Sequence, residues 1–111
     1  MIEIAIDVGG ETFDAVLSPE RCPETVQAIA DALPIEAVAS QWGDEFYFEI
    51  PVVVGEENAC TPVAVGDLAY WPSGNCFCIF FGPTPMSGAD GAPVPASPVN
   101  VVGTISSTEG L

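Results

Sequence analysis

Residues 2–17 read IEIAIDVGGETFDAVL, and no other stretch constrains the fold as tightly. Ile2, Ile4, Ile6 and Val8 alternate with Glu3, Ala5 and Asp7, the period-two pattern of a half-buried strand. Gly9-Gly10 supplies the two positive-φ positions of a tight hairpin turn. Folding the chain there sets Ile6 against Phe13, Ile4 against Ala15 and Ile2 against Leu17. Each pair is apolar on one face, so turn and pattern demand the same register. The chain therefore begins as a β-hairpin with one face to bury.

The next segment, SPERCPETVQAIADALP, changes period. Pro23 suits the first turn of a helix and Glu24 its positive end. Val26, Ile29, Ala30 and Leu33 then fall on one stripe, and Pro34 ends it, which predicts a helix over about 23–33. Strand signals resume at IEAVASQW (35–42), turn through Gly43-Asp44 and continue in EFYFEIPVVV (45–54). A loop at 55–62, the segment VAVGDLAYWP, a turn at 73–75, the strand CFCIFF (76–81) and a last strand VNVVGTIS (99–106) complete the chain. Residues 82–98 hold five prolines and three glycines and are predicted to form a long surface loop. One helix among seven or so strands points to a mainly β fold, a closed or nearly closed antiparallel barrel, in a single domain over 1–111. CFCIFF is apolar on both faces, so something must cover its outer side: the helix, the proline-rich loop or a partner.

Composition then narrows the habitat and the partners. Sixteen acids face one base, Arg21, for a net charge of −15, and the acids are scattered along the whole chain. A protein built for a basic partner concentrates its acids in a block. Scattered acids suit molar salt, where screening shortens to about 3 Å and a carboxylate surface stays hydrated without repelling itself apart. Nucleic acid is not expected as a partner, because a single arginine leaves almost nothing to neutralise phosphates. MIEIAIDVGG has no basic region and reads as strand, and CFCIFF is too short to span a bilayer. The protein is expected to be soluble and cytoplasmic, without membrane contact.

At this point the motifs carry a resemblance. A hairpin followed by CPETVQAI is similar to the opening of cyclophilins. WGDEFYF, GDLAYWPSGNCFCIFFGPTP and PVNVVGTI resemble, more narrowly, the short archaeal and bacterial cyclophilin-like proteins, with the insert at 86–98 least typical. The resemblance implies a compact eight-stranded barrel and no established biochemical role. It also raises prolyl isomerisation, whose uncatalysed barrier is about 18–20 kcal/mol. Cyclophilins meet that barrier with an apolar pocket and an arginine donor. The matching segment here is Trp42-Gly43-Asp44-Glu45, acids in place of the base, and Arg21 precedes the helix.

The remaining chemistry-bearing residues sort by environment. Cys22, Cys60, Cys76 and Cys78 lack the tight pairs of a zinc site, and the chain has no histidine, so the cysteines are expected as small apolar filler and no metal or cofactor is expected. Glu20 and Glu24 oppose any lowering of the Cys22 pKa. Asp44 and Asp67 each follow a glycine and read as turn aspartates. No catalytic residue is identifiable. Tyr and Trp side chains favour partly wet sites, which makes an aromatic cleft the expected binding site. Its candidate residues are Trp42, Glu45, Tyr47, Tyr70, Trp71, Asn75, Phe77 and Phe80, with loop 82–98 as a flap. The expected function is binding of a small molecule or an extended peptide there. A divergent prolyl isomerase and a homodimer built on strand 76–81 are the alternatives.

Overall fold

The computed structural model describes residues 1–61 and 63–111. Pro62, the last residue of the predicted loop, lies outside them. Among the described residues, seven strands and one helix follow in the order β1 (Ile2–Val8), β2 (Glu11–Leu17), α1 (Pro23–Ala32), β3 (Ser40–Gln41), β4 (Glu45–Glu49), β5 (Asp67–Trp71), β6 (Cys76–Phe80) and β7 (Asn100–Ile105). All pair antiparallel in one curled sheet, ordered β1-β2-β7-β5-β6-β4-β3. The expected barrel is thus a half-barrel of seven strands, with β1 and β3 at its two edges.

The hairpin pairs as its sequence demands: Ile6 with Phe13, Ile4 with Ala15, Ile2 with Leu17. Gly9 and Gly10 have φ of 58° and 90°, a conformation that L-residues with a Cβ seldom adopt. The helix buries Thr25, Val26 and Ile29. Leu33, expected on the stripe, lies beyond the last turn and is exposed.

One predicted strand is corrected. Of residues 35–42 only Ser40–Gln41 pair, with Tyr47 and Phe46. Residues 35–39 have no neighbouring strand among the described residues; they run beside the open side of the half-barrel. There Ile35 is half-buried while Val38 is 94% exposed. With β1 and β4 they border a groove of about 1040 Å³, floored by Ile4, Ile6, Phe46 and Phe48.

The curled sheet sorts its side chains into two layers. Its concave side holds the main core, in which Leu17, Leu68, Tyr70, Ile79 and Val102 pack with Val26 and Ile29 of the helix. Its convex side holds a second cluster of Val63, Ala69, Cys76, Cys78, Phe80, Val99 and Val101. Burial of a large apolar side chain contributes about 1.5–3 kcal/mol, so neither layer is incidental. Strand β6 lies between β4 and β5, and all five of its residues are buried. Of the strand 76–81 named for a homodimer contact, Cys76–Phe80 are buried within the chain and Phe81 is half-buried. The proline-rich loop shares in covering the second cluster. Its Pro93 and Pro95 are buried, and its Thr84 and Ser87 hydroxyls donate to the carbonyls of Val94 and Ala92. Among the described residues no helix is long and apolar enough to cross a membrane.

Candidate functional site

The site begins at a two-residue turn. Trp42 and Glu45 bond each other's backbones across Gly43-Asp44, with Gly43 at φ 61°. From Glu45 onward the period of two decides which layer each side chain joins. Phe46 and Phe48 turn inward, where their rings meet Phe81 and Phe77 at centroid distances of 4.8 and 5.5 Å. Glu45 and Tyr47 turn outward. The β4–β6 register sets them opposite Phe80 and Cys78.

Strand β5 contributes the other half by the same rule. Leu68 and Tyr70 enter the main core, while Ala69 and Trp71 join the outer cluster. The Trp71 ring lies over Gly74, where a Cβ would come within 2.6 Å of it. Its indole N–H donates to the Ser97 hydroxyl at 2.6 Å. One proline-rich-loop residue thus holds the ring, and two others, Pro95 and Ala96, form a wall opposite the hairpin.

These elements enclose a cleft of about 220 Å³, lined by Trp42, Glu45, Tyr47, Trp71, Pro95, Ala96 and Val99. Four of the eight candidate residues meet there: Trp42, Glu45, Tyr47 and Trp71. Phe80 lies buried in the outer cluster. Tyr70 and Phe77 lie in the main core. The Tyr70 hydroxyl donates to the Val52 carbonyl at 2.6 Å and stands 3.0 Å from the Asn75 side-chain oxygen, so Asn75 braces the core. Adjacent strand residues face opposite ways, which is why Tyr70 and Trp71 part company. The loop residues Pro95 and Ala96 carry no sequence signal beyond composition, and Val99, expected to open the last strand, precedes β7 and bridges Cys60.

Glu45 dominates the electrostatics. It is the only buried acid among the described residues, 6% exposed, and its Oε1 has no hydrogen-bond partner. Burial pushes its pKa up to about 7, and the Cys78 thiol beside it draws it partly back. A buried polar atom without a partner costs free energy comparable to a lost hydrogen bond. Burial likewise pushes the thiols of Cys22, Cys76 and Cys78 up, which keeps them protonated and unreactive. All four cysteines are free, Cys76 and Cys78 inside the outer cluster with Cys60 at its margin. Asp67 behaves as a turn aspartate, accepting from the Ala64 N–H at 2.8 Å.

A second polar group escaped the sequence reading. The helix N-cap, Cys22, makes no capping hydrogen bond from its side chain. The Glu57 carboxylate caps the helix instead, accepting from the N–H groups of Glu24 and Thr25 and from the Thr25 hydroxyl. Asn100 completes the cluster: its Oδ1 accepts from the Glu57 N–H, and its amide donates to Thr25 Oγ1 and the Gly55 carbonyl. Desolvation would raise the Glu57 pKa, but the bonds from Thr25 and Glu24 prevail and lower it. The available clue was a helix starting at a residue that caps poorly. Arg21 lies in this region, donating to Cys60 Sγ at 3.0 Å, and does not line the cleft. Among the described residues no three Cys, Asp or Glu side chains group as a metal site requires.

The sequence model described as cyclophilin-like matches residues 2–111. No curated protein matches the chain. The chain is similar to a hypothetical protein from Archaeoglobus fulgidus known from its solution structure. The two are 47% identical, with a TM-score of 0.79 over 94% of this chain and 79% of the other.

Proposed function

The chain belongs to the cyclophilin-like family, and from that premise we propose that it is a binding protein whose aromatic cleft takes a small molecule. One observation carries this reading: three aromatic side chains and the carboxyl of Glu45, a buried acid whose Oε1 has no hydrogen-bond partner, line one cavity. Apolar walls with a few convergent polar groups and a perturbed pKa are the usual marks of a ligand site. A cavity of about 220 Å³ suits a small metabolite or one side chain of an extended peptide. The isomerase alternative lacks its arginine there, since Arg21, the single arginine, donates to Cys60 Sγ and does not line the cleft. A screen of small metabolites by chemical-shift change tests the proposal. It predicts shifts at Trp42, Tyr47 and Trp71, and shifts confined to the helix or β1 would contradict it.

The same reading places the protein in molar salt, soluble in the cytoplasm. Of sixteen acids only Glu45 is buried, so the rest cover the surface.

A further inference from the structure

The cleft combines features that together select one ligand chemistry. Trp42, Tyr47 and Trp71 line it, and aromatic faces attract cations through their quadrupoles. The two ring pairs of the structure, Phe46–Phe81 and Phe48–Phe77, use none of these three rings. Glu45 lines the cleft with a carboxyl whose Oε1 is buried and has no hydrogen-bond partner, and no other carboxylate and no Lys or Arg is among the described lining residues. Carboxylates outside the cleft add a field that concentrates cations around the molecule.

We propose that the cleft binds a small organic ammonium ion that keeps at least one N–H, donated to Glu45 Oε1, with its alkyl part against Trp42, Tyr47 and Trp71. The inference rests on the cleft reading above and narrows it to a ligand class. An ammonium satisfies the orphaned oxygen with a charge-assisted hydrogen bond and meets the rings as a cation. A quaternary ammonium offers the charge without the donor. An alcohol offers the donor without the charge. Neither meets both demands of the site.

The test is calorimetric titration of the full chain at pH 8 in molar salt, with n-butylammonium, tetramethylammonium and 1-butanol as probes. Butylammonium is expected to bind about tenfold more tightly than either control, a difference of about 1.4 kcal/mol. Glu45→Gln, expected to be at least as stable as wild type at pH 8, is expected to abolish the preference for butylammonium, and a preference retained in that folded variant overturns the inference. Equal binding of 1-butanol and butylammonium overturns the ammonium inference and leaves the cleft reading standing. Equal binding of tetramethylammonium overturns the hydrogen bond to Glu45, and so the inference as stated. No binding of any probe overturns both. A fourth probe, Nα-acetyl-lysine methylamide, separates sources: affinity matching butylammonium assigns the ammonium to a polypeptide lysine, and weaker affinity assigns it to a free amine. Either supports the ammonium chemistry once butylammonium has bound.

Discussion

Trp42 and Glu45 exchange both backbone hydrogen bonds across the Gly43-Asp44 turn, N–H to carbonyl at 2.9 and 3.2 Å. Directly paired residues of a hairpin share a face, so the turn delivers an indole and a carboxyl to the cleft together. The turn is itself held from outside. The Asp44 N–H donates to the Pro83 carbonyl, and the Phe81 N–H donates to the Asp44 carbonyl. The proline-rich loop therefore fixes the hairpin as well as forming the opposite wall.

That arrangement makes Gly43 sensitive. A Cβ there would stand 2.8 to 3.0 Å from Pro85, Thr84 and the Pro83 carbonyl, at a φ of +61° that disfavours any side chain. Gly43→Ala is expected to cost about 2–3 kcal/mol, from backbone strain and the clash with the loop. Chemical denaturation measures it. A cost below half a kcal/mol would show that hairpin and loop are not locked together.

Glu45 gives a pH signature. Burial holds its folded pKa at about 7, above the ordinary value of 4.5. The folded state holds the proton more tightly, so this contribution is fully present below about pH 4.5 and is lost as pH rises through 7. Glu45→Gln, which cannot ionise, is expected to stabilise the protein at pH 8 and to lose that advantage near pH 4.5. Solvent reaching the cleft discounts the gain to about 1–2 kcal/mol. Thermal melts at both pH values check it; an unchanged difference between wild type and variant would remove the buried carboxyl from the account.

The cap on α1 predicts the opposite sign. The Glu57 pKa is lowered in the folded protein, so its contribution is present above about 4.5 and is lost as pH falls through the folded value. Glu57→Gln is expected to lower the melting temperature at pH 7 and to converge with wild type in acid. Asn100 is fully buried and bonded at both ends of its amide. Asn100→Ala leaves Thr25 Oγ1, the Gly55 carbonyl and the Glu57 N–H short of partners, at about 1–3 kcal/mol. Urea denaturation of the single variants reads both effects, and wild-type stability in Asn100→Ala would refute the network's role.

Much of this was legible in local pattern. The Gly9-Gly10 hairpin follows from alternation and turn chemistry alone, down to the Ile6–Phe13 pair. Helix α1 is bounded by its prolines. Trp42 and Glu45 are readable as neighbours because a glycine turn separates them. Legibility stops where placement depends on the whole sheet. Tyr70 and Trp71 are adjacent and chemically alike, yet strand alternation sends one to the core and the other to the cleft. Residues 35–39 look like strand but lie where the half-barrel stays open. Glu57 caps a helix more than thirty residues away, a contact that no local window contains.

Salt dependence follows from the surface. At −15, dilution lengthens the screening distance from about 3 Å at 1 M to about 10 Å at 0.1 M, and the surface carboxylates then repel one another. The chain is expected to unfold on dialysis from molar to dilute salt, read by circular dichroism. Full retention of the fold in dilute buffer would sink the salt-adaptation reading.

The cleft between Trp42 and Trp71 is proposed as the ligand site. A structure of the chain bound to the tightest hit of the metabolite screen tests it most directly. The ligand is expected between those two indoles, with a polar atom within hydrogen-bond distance of the Glu45 carboxyl. A ligand seated instead in the groove between β1 and residues 35–39, with the cleft empty, would contradict it.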